Sequence, residues 1–253
     1  MIFFFNLGKN ENGFIRKISL EQDFGMILHS QQQLDVIKCV DSKYRILRVD
    51  ATGNLVNAPK YKKNYPKMLS YFMQLKDLRD IDDNRSCSVI LSEMHTSRHD
   101  TYQIKDFISL FKSDFEKDSK KQLNFRLVCT DYSFAEMHAV VQALNTESIN
   151  DYCERVYNYC IHNKDFNRSE KSWLISCVSH TMHRYSKGVG NLFIKEKVKS
   201  SGKFECFLFS IMLNCETLTD LTSIFENILI AYKSKTKSKQ FQKAYDLLTK
   251  LTY

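Results

Sequence analysis

Proline and glycine are scarce in this chain. Two prolines and seven glycines in 253 residues leave little room for long irregular stretches or low-complexity linkers. Long apolar runs are missing as well. None approaches the ~20 residues that a membrane-spanning helix needs, so no membrane span is expected. The apolar start, Met1–Phe5, covers five residues with no basic stretch before it, which does not read as a secretion leader. The eight cysteines are Cys39, Cys87, Cys129, Cys153, Cys160, Cys177, Cys206 and Cys215. They form no framework of close pairs, so a disulfide-knit secreted scaffold is not expected. Several sit in apolar runs and read as reduced core thiols.

What remains has globular composition: 43% hydrophobic, 13% aromatic and 26% charged residues. That is too apolar for a disordered tail. A chain of this length makes one large domain or two small ones and buries roughly three-quarters of its surface. The net charge is +8, from 37 basic and 29 acidic residues. Such an excess suits a polyanionic partner, although many soluble domains share it.

In chain order, Phe14–Ile18 reads as a strand. Residues 30–39 read as a short helix capped by Ser30. Arg45–Asp50 is the first strong strand, followed at once by the turn Ala51-Thr-Gly-Asn54, and Leu55–Ala58 can pair back as a hairpin. Lys67–Leu75 and Ser86–Met94 read as two further strands. From Thr101 the period changes. Ile104, Phe107, Ile108, Phe111 and Phe115 fall at helical spacing, with Asp100 or Thr101 as the cap. Phe125–Cys129 is another strand and ends on Asp131. Ser133 and Glu136 have the spacing of a capping box and open a helix. Beyond residue 147 the pattern reads as helix throughout, over 149–162, 170–186, 204–214, 218–233 and 239–252. The expected architecture is α/β: a mixed sheet with flanking helices, then an all-helical block. The expected divisions are an extension over 1–44, the α/β core over 45–146 and a helical region over 147–253.

Two short strands that each deliver an aspartate, Asp50 and Asp131, carry the chemistry. A strand–helix–strand unit returning beside the first strand is right-handed and parallel. It brings both strand ends to the edge where open α/β sheets place ligands. Carboxylates there can hold the divalent ions of phosphoryl transfer. The plainer alternative is that Asp50 opens a turn and Asp131 caps a helix, two jobs for which aspartate is favoured.

Four short stretches occur in order: Val49-Asp-Ala-Thr-Gly53, Ser97-Arg-His-Asp-Thr101, Val128-Cys-Thr-Asp-Tyr-Ser133 and Cys177-Val-Ser-His180. Together, over roughly residues 30–230, they resemble the DDE transposases of the Mutator-like class, whose core is RNase H-like. The resemblance implies Asp50 and Asp131 as catalytic, metal-binding acids and Mg²⁺ or Mn²⁺ as the cofactor. It also implies DNA as the partner and Cys177 and His180 as the family's Cys-x-x-His signature in a helical insertion. A nuclear or cytoplasmic, non-secreted protein and self-association into a homo-oligomer are both compatible with it. The family's third acid, usually a Glu on a helix after the insertion, has no match. Glu205, Glu216 and Glu226 fall in helices that read as the insertion itself. The expectation is therefore a fragment or transposon remnant. Either its intact ancestor cleaved and joined DNA strands, or the module is catalytically inactive and binds DNA or protein.

Other constellations are weaker. Cys160, His162, Cys177 and His180 have two sulfurs and two imidazoles, but not at zinc-finger spacing, so zinc is not expected. Cys129 with His95 or His99 suggests a Cys–His hydrolase only distantly. Lys60, Lys62 and Lys63 form a basic loop that can contact DNA phosphates, with Tyr61 and Tyr65 interleaved for base stacking. A solvated charged loop is the alternative.

Overall fold

The computed structural model describes residues 13–19, 24–53, 68–79, 86–131, 133–162, 171–194, 199–215, 217–233 and 239–250. The chain divides into two compact units, 1–177 and 178–253. The first holds a seven-stranded mixed sheet. Its strands are β1 (Ile15–Ser19), β2 (Gly25–Leu28), β3 (Ile46–Gly53), β4 (Leu69–Arg79), β5 (Ser86–Thr96), β6 (Leu127–Thr130) and β7 (Trp173–Ser176). Their spatial order is β1-β2-β5-β4-β3-β6-β7. The helices of this unit are α1 (Gln31–Lys38), α2 (Thr101–Ser119), α3 (Phe134–Val140), which runs into a π-helical turn over Val141–Asn145, and α4 (Ile149–His162). The second unit is helical: α5 (Val178–Ile194), α6 (Lys199–Leu213), α7 (Leu218–Lys233) and α8 (Lys239–Lys250). No helix among the described residues is long and apolar enough to cross a membrane.

The mixed α/β sheet with flanking helices and a helical C-terminal part is the architecture that the sequence pattern predicts. β3, β4 and β5 form an antiparallel meander. β6 returns parallel beside β3, pairing Ile46 with Leu127, Leu47 with Val128 and Arg48 with Cys129.

Three boundaries differ from the expectation. Residues 1–44 are not merely an extension, because β1 and β2 lengthen the sheet beyond β5. Gly25–Leu28 pairs with Glu93–Thr96, on the edge of β5 that β4 leaves open. The sheet unit does not stop at residue 146 but continues through β7. Residues 173–176, expected inside a helix, are the parallel partner of β6. Trp-Leu-Ile-Ser is too short for periodicity to separate strand from helix, and the open edge of β6 decides it. The outer edge of β7 is covered in turn. The Tyr152 hydroxyl accepts from the Leu174 amide at 2.9 Å and donates to its carbonyl at 3.2 Å.

One face of the sheet carries the core. Leu47 and Val49 of β3, Tyr71, Met73 and Leu75 of β4, and Leu91 and Met94 of β5 are fully buried against α2. α2 contributes the stripe foreseen from spacing, Ile104, Phe107, Ile108, Phe111 and Phe115, each at most 1% exposed. Burial of such a side chain stabilises by about 1.5–3 kcal/mol. Asp100 caps α2 by accepting from the Gln103 amide at 2.9 Å. Ser30 and Gln33 form a full capping box on α1. None of the eight cysteines is disulfide-bonded or fully buried. The expectation of core thiols is corrected: these cysteines are exposed or half-buried rather than in the packed interior.

Candidate functional site

Asp50 is the fifth residue of β3 and does not end that strand. β4 pairs with residues 51–53 from the other side, so Ala51–Gly53, foreseen as part of a turn, are strand, and Gly53 has no positive φ. What stops near Asp50 is the parallel ladder with β6. Asp50 lies two residues beyond the Arg48–Cys129 pair on one strand, and Asp131 two residues beyond it on the other, just past the end of β6. Asp50 lies on the face opposite Leu47 and Val49, while Asp131, one residue past β6, lies against Glu136 and close enough to act on Tyr71.

Each aspartate also has a local partner. Arg48 donates from its Nη2 to Asp50 Oδ2. The Ser133 amide donates to Asp131 Oδ1 at 2.6 Å, an Asx turn that leads into α3. Ser133 is the N-cap of α3, yet its side chain makes no cap bond, so the expected capping box with Glu136 does not form. The Ser133 hydroxyl is held by His99 Nε2 at 3.0 Å. On its other side His99 Nδ1 meets the Tyr71 hydroxyl, and the two rings stack at 6.0 Å with an 11° interplanar angle. Tyr71 is fully buried on β4. Burial, then the charges of Glu136, Asp131 and Asp100, push its pKa up, so this hydroxyl keeps its proton. The chain Tyr71–His99–Ser133 thus fastens the turn carrying Asp131 to the core.

Glu136 is the residue that local spacing hid. Released from capping, it is 0% exposed, and neither carboxyl oxygen has a hydrogen-bond partner. Burial pushes its pKa up to about 9, helped by the charge of Asp131 and, less strongly, of Asp50. Like charges and low dielectric both disfavour the ionised form. Glu136 is therefore protonated at neutral pH, beside the two aspartates that the sequence singled out. A buried carboxyl with no partner is rare enough to call for an explanation. Composition could not have exposed it. The one available sign was an acid shortly after Asp131 on an otherwise apolar helix face.

The donor chemistry suits a hard divalent cation, since Asp50, Asp131 and Glu136 supply carboxyl oxygens alone. The Glu136 oxygens, with no hydrogen-bond partner, are the donors of this set left to take a cation. Asp50, however, is turned onto Arg48. Among the described residues no three His, Cys, Asp or Glu side chains are grouped closely enough to hold an ion as they lie. Arg48 would have to release Asp50 for all three to share one.

The other sequence-derived candidates have partners or positions of their own. Cys177 follows β7, and its amide donates to the Thr130 carbonyl at 2.8 Å. His180 lies on α5, in the second unit. Cys129 does not suit a nucleophile: burial raises its thiol pKa to about 11, with Cys177 adding to the shift. His95 is engaged by Ser70 at 2.9 Å and by Glu93 at 3.7 Å. Glu205 and Glu226 lie on α6 and α7 of the second unit. Lys60, Lys62, Lys63, Tyr61, Tyr65, the Leu55–Ala58 hairpin and Glu216 fall outside the described residues. No family model, curated protein or solved structure matches the chain.

Proposed function

We propose that this chain is a transposase-derived, RNase H-like domain that acts on DNA phosphodiesters with Mg²⁺ or Mn²⁺. Asp50, Asp131 and Glu136 are its acidic set. The observation that carries this reading is Glu136, a buried carboxyl with no partner, set against Asp131 where the parallel β3–β6 ladder ends. In this reading Glu136 stands in for the third acid that the sequence pattern did not supply. A bound divalent ion contributes Lewis-acid stabilisation of a phosphoryl oxygen and activation of a water. The protein's own part is to hold the carboxyls near the end of the β3–β6 ladder, fix Asp131 through Ser133 and His99, and give up the Glu136 proton when a cation enters. A cation beside a carboxyl reverses the balance that keeps it protonated.

Two measurements test this. Mn²⁺ titration followed by electron paramagnetic resonance is expected to show binding with proton release at pH 7. Both are lost in Asp131→Asn, and the proton release is lost in Glu136→Gln. Nicking of supercoiled plasmid is expected to need the metal. It should fall about 100-fold or more in Asp50→Asn, Asp131→Asn and Glu136→Gln, equivalent to several kcal/mol of transition-state stabilisation. Nicking that survives all three substitutions sinks the assignment.

A second reading is a catalytically inactive remnant that binds DNA or protein. The Arg48–Asp50 pair and the Asx turn at Asp131 favour it, because they give both aspartates structural work. Wild-type protein that neither binds Mn²⁺ nor nicks DNA would select it.

A further inference from the structure

We propose that Tyr102 and Phe134 form a stacking platform for unpaired bases, so that the strand presented to the acidic edge is single-stranded DNA. The inference rests on the reading of this edge as a DNA-processing site. Tyr102 is 73% exposed and Phe134 76%, the two most exposed large apolar side chains among the described residues. Each lies in the first turn of a helix, α2 or α3. The segments leading into those helices are tied together by the bond from His99 to Ser133 at 3.0 Å. The rings therefore flank the same bridge that holds the Asp131 turn, and α2 and α3 share one core through Ile104, Phe107, Ala139 and Val140. Only the edge of Phe134 is engaged, by His138, at 6.4 Å between centroids and 63°.

The surroundings favour a nucleic acid over a protein partner. A protein-docking face is a contiguous apolar patch of several hundred Å². Here two separate rings stand in polar segments, with Arg98 paired to Asp100 at 2.8 Å, exposed Lys105 one turn after Tyr102, and His138 against Phe134. Aromatic faces beside cations are how proteins grip single strands, because every base has a π-face to stack. Paired bases in a duplex offer no such face except at a frayed end.

The test uses the full chain with fluorescein-labelled oligothymidylate and a duplex of the same length, followed by fluorescence anisotropy in EDTA. Metal chemistry is then silent. Wild type is expected to prefer the single strand. Tyr102→Ala with Phe134→Ala should weaken that binding about tenfold or more and leave duplex binding within about twofold. Tyr102→Phe with Phe134→Tyr should bind like wild type. Single-strand binding that is unchanged by removing both rings overturns the proposal. So does a wild type with no preference for the single strand, or a double variant whose only change is loss of self-association in sedimentation. Binding that depends on the rings in a protein that never nicks DNA would leave the platform standing and remove only the catalytic reading.

Discussion

Glu136 and Glu147 are both buried carboxyls of the first unit, 0% and 8% exposed, and they are treated in opposite ways. Glu147 is surrounded by donors. Arg155 reaches it at 2.6 Å, Lys171 at 2.8 Å and the Asn145 side-chain amide at 3.0 Å. Asn145 also accepts from the Ser172 amide at 2.8 Å and donates to the Ser172 carbonyl at 3.0 Å. Burial draws the Glu147 pKa upward, but the two cations overcome it and hold it below the usual carboxylate range. Glu136 has no cation beside it, only the neighbouring Asp131, and its pKa goes the other way, to about 9. The first arrangement fastens β7 to the end of the π-helical turn and to α4. The second stabilises nothing that the fold needs. A carboxyl buried and satisfied is structural, whereas one buried and orphaned costs stability that only a ligand can restore.

The largest expected effect breaks the satisfied member. Glu147→Ala leaves Arg155, which packs over Trp173 at 4.9 Å, without its main acceptor. Removing one partner of a buried pair costs about 3–5 kcal/mol. Urea unfolding followed by Trp173, the only tryptophan, reads this directly. A loss below about 1 kcal/mol would mean that the network is ornamental.

The orphaned member should respond with the opposite sign. Folded Glu136 holds its proton more tightly than the unfolded chain does. Wild-type stability therefore falls as pH rises from the ordinary glutamate range towards about 9. Glu136→Gln removes that titration. It should stabilise the fold by about 3 kcal/mol at pH 7, where the folded group is still protonated. The gain should shrink towards zero near pH 4.5 and grow up to pH 9. Thermal melts across this range check it. A variant that melts lower than wild type at pH 8 would contradict the assignment of Glu136 as unpaired. Joined to the lost proton release on metal binding, a stabilising substitution is the behaviour of a functional residue.

His29 sharpens the contrast with an intermediate case, a fully buried ring with partners of its own. Its Nε2 meets Asp114 at 2.9 Å and its Nδ1 meets Ser92 at 3.3 Å. Burial lowers its pKa, while the Asp114 bond resists. The neutral ring is the folded form, so stability is complete above the unfolded value near 6.5 and declines as pH falls below it. His29→Gln should cost about 1 kcal/mol at pH 7 and flatten the decline between pH 6.5 and 5. An unaltered acid limb in the melts would assign that decline elsewhere.

The paired and unpaired carboxyls also show where reading the chain succeeds. Ser30 with Gln33 and Ser133 with Glu136 have the same capping spacing. The first pair closes into a capping box; the second does not, because His99 takes the Ser133 hydroxyl and packing draws Glu136 inward. A short-range motif is legible in sequence only where no distant residue competes for the same atoms. β7 teaches the same lesson, since Trp173–Ser176 is a strand only because β6 offers an edge.

The sequence by itself determined the α2 stripe, the Asp100 cap, the strand runs leading to Asp50 and Asp131, and the absence of long apolar segments. These follow from periodicity and near-neighbour chemistry, which act within a few residues. Only the tertiary structure decided that β6 returns parallel beside β3 and that β1, β2 and β7 complete the sheet. It alone left Glu136 buried beside Asp131 without a partner. Those outcomes depend on which groups remote segments bring together, and burial and charge coupling are properties of that assembled surrounding.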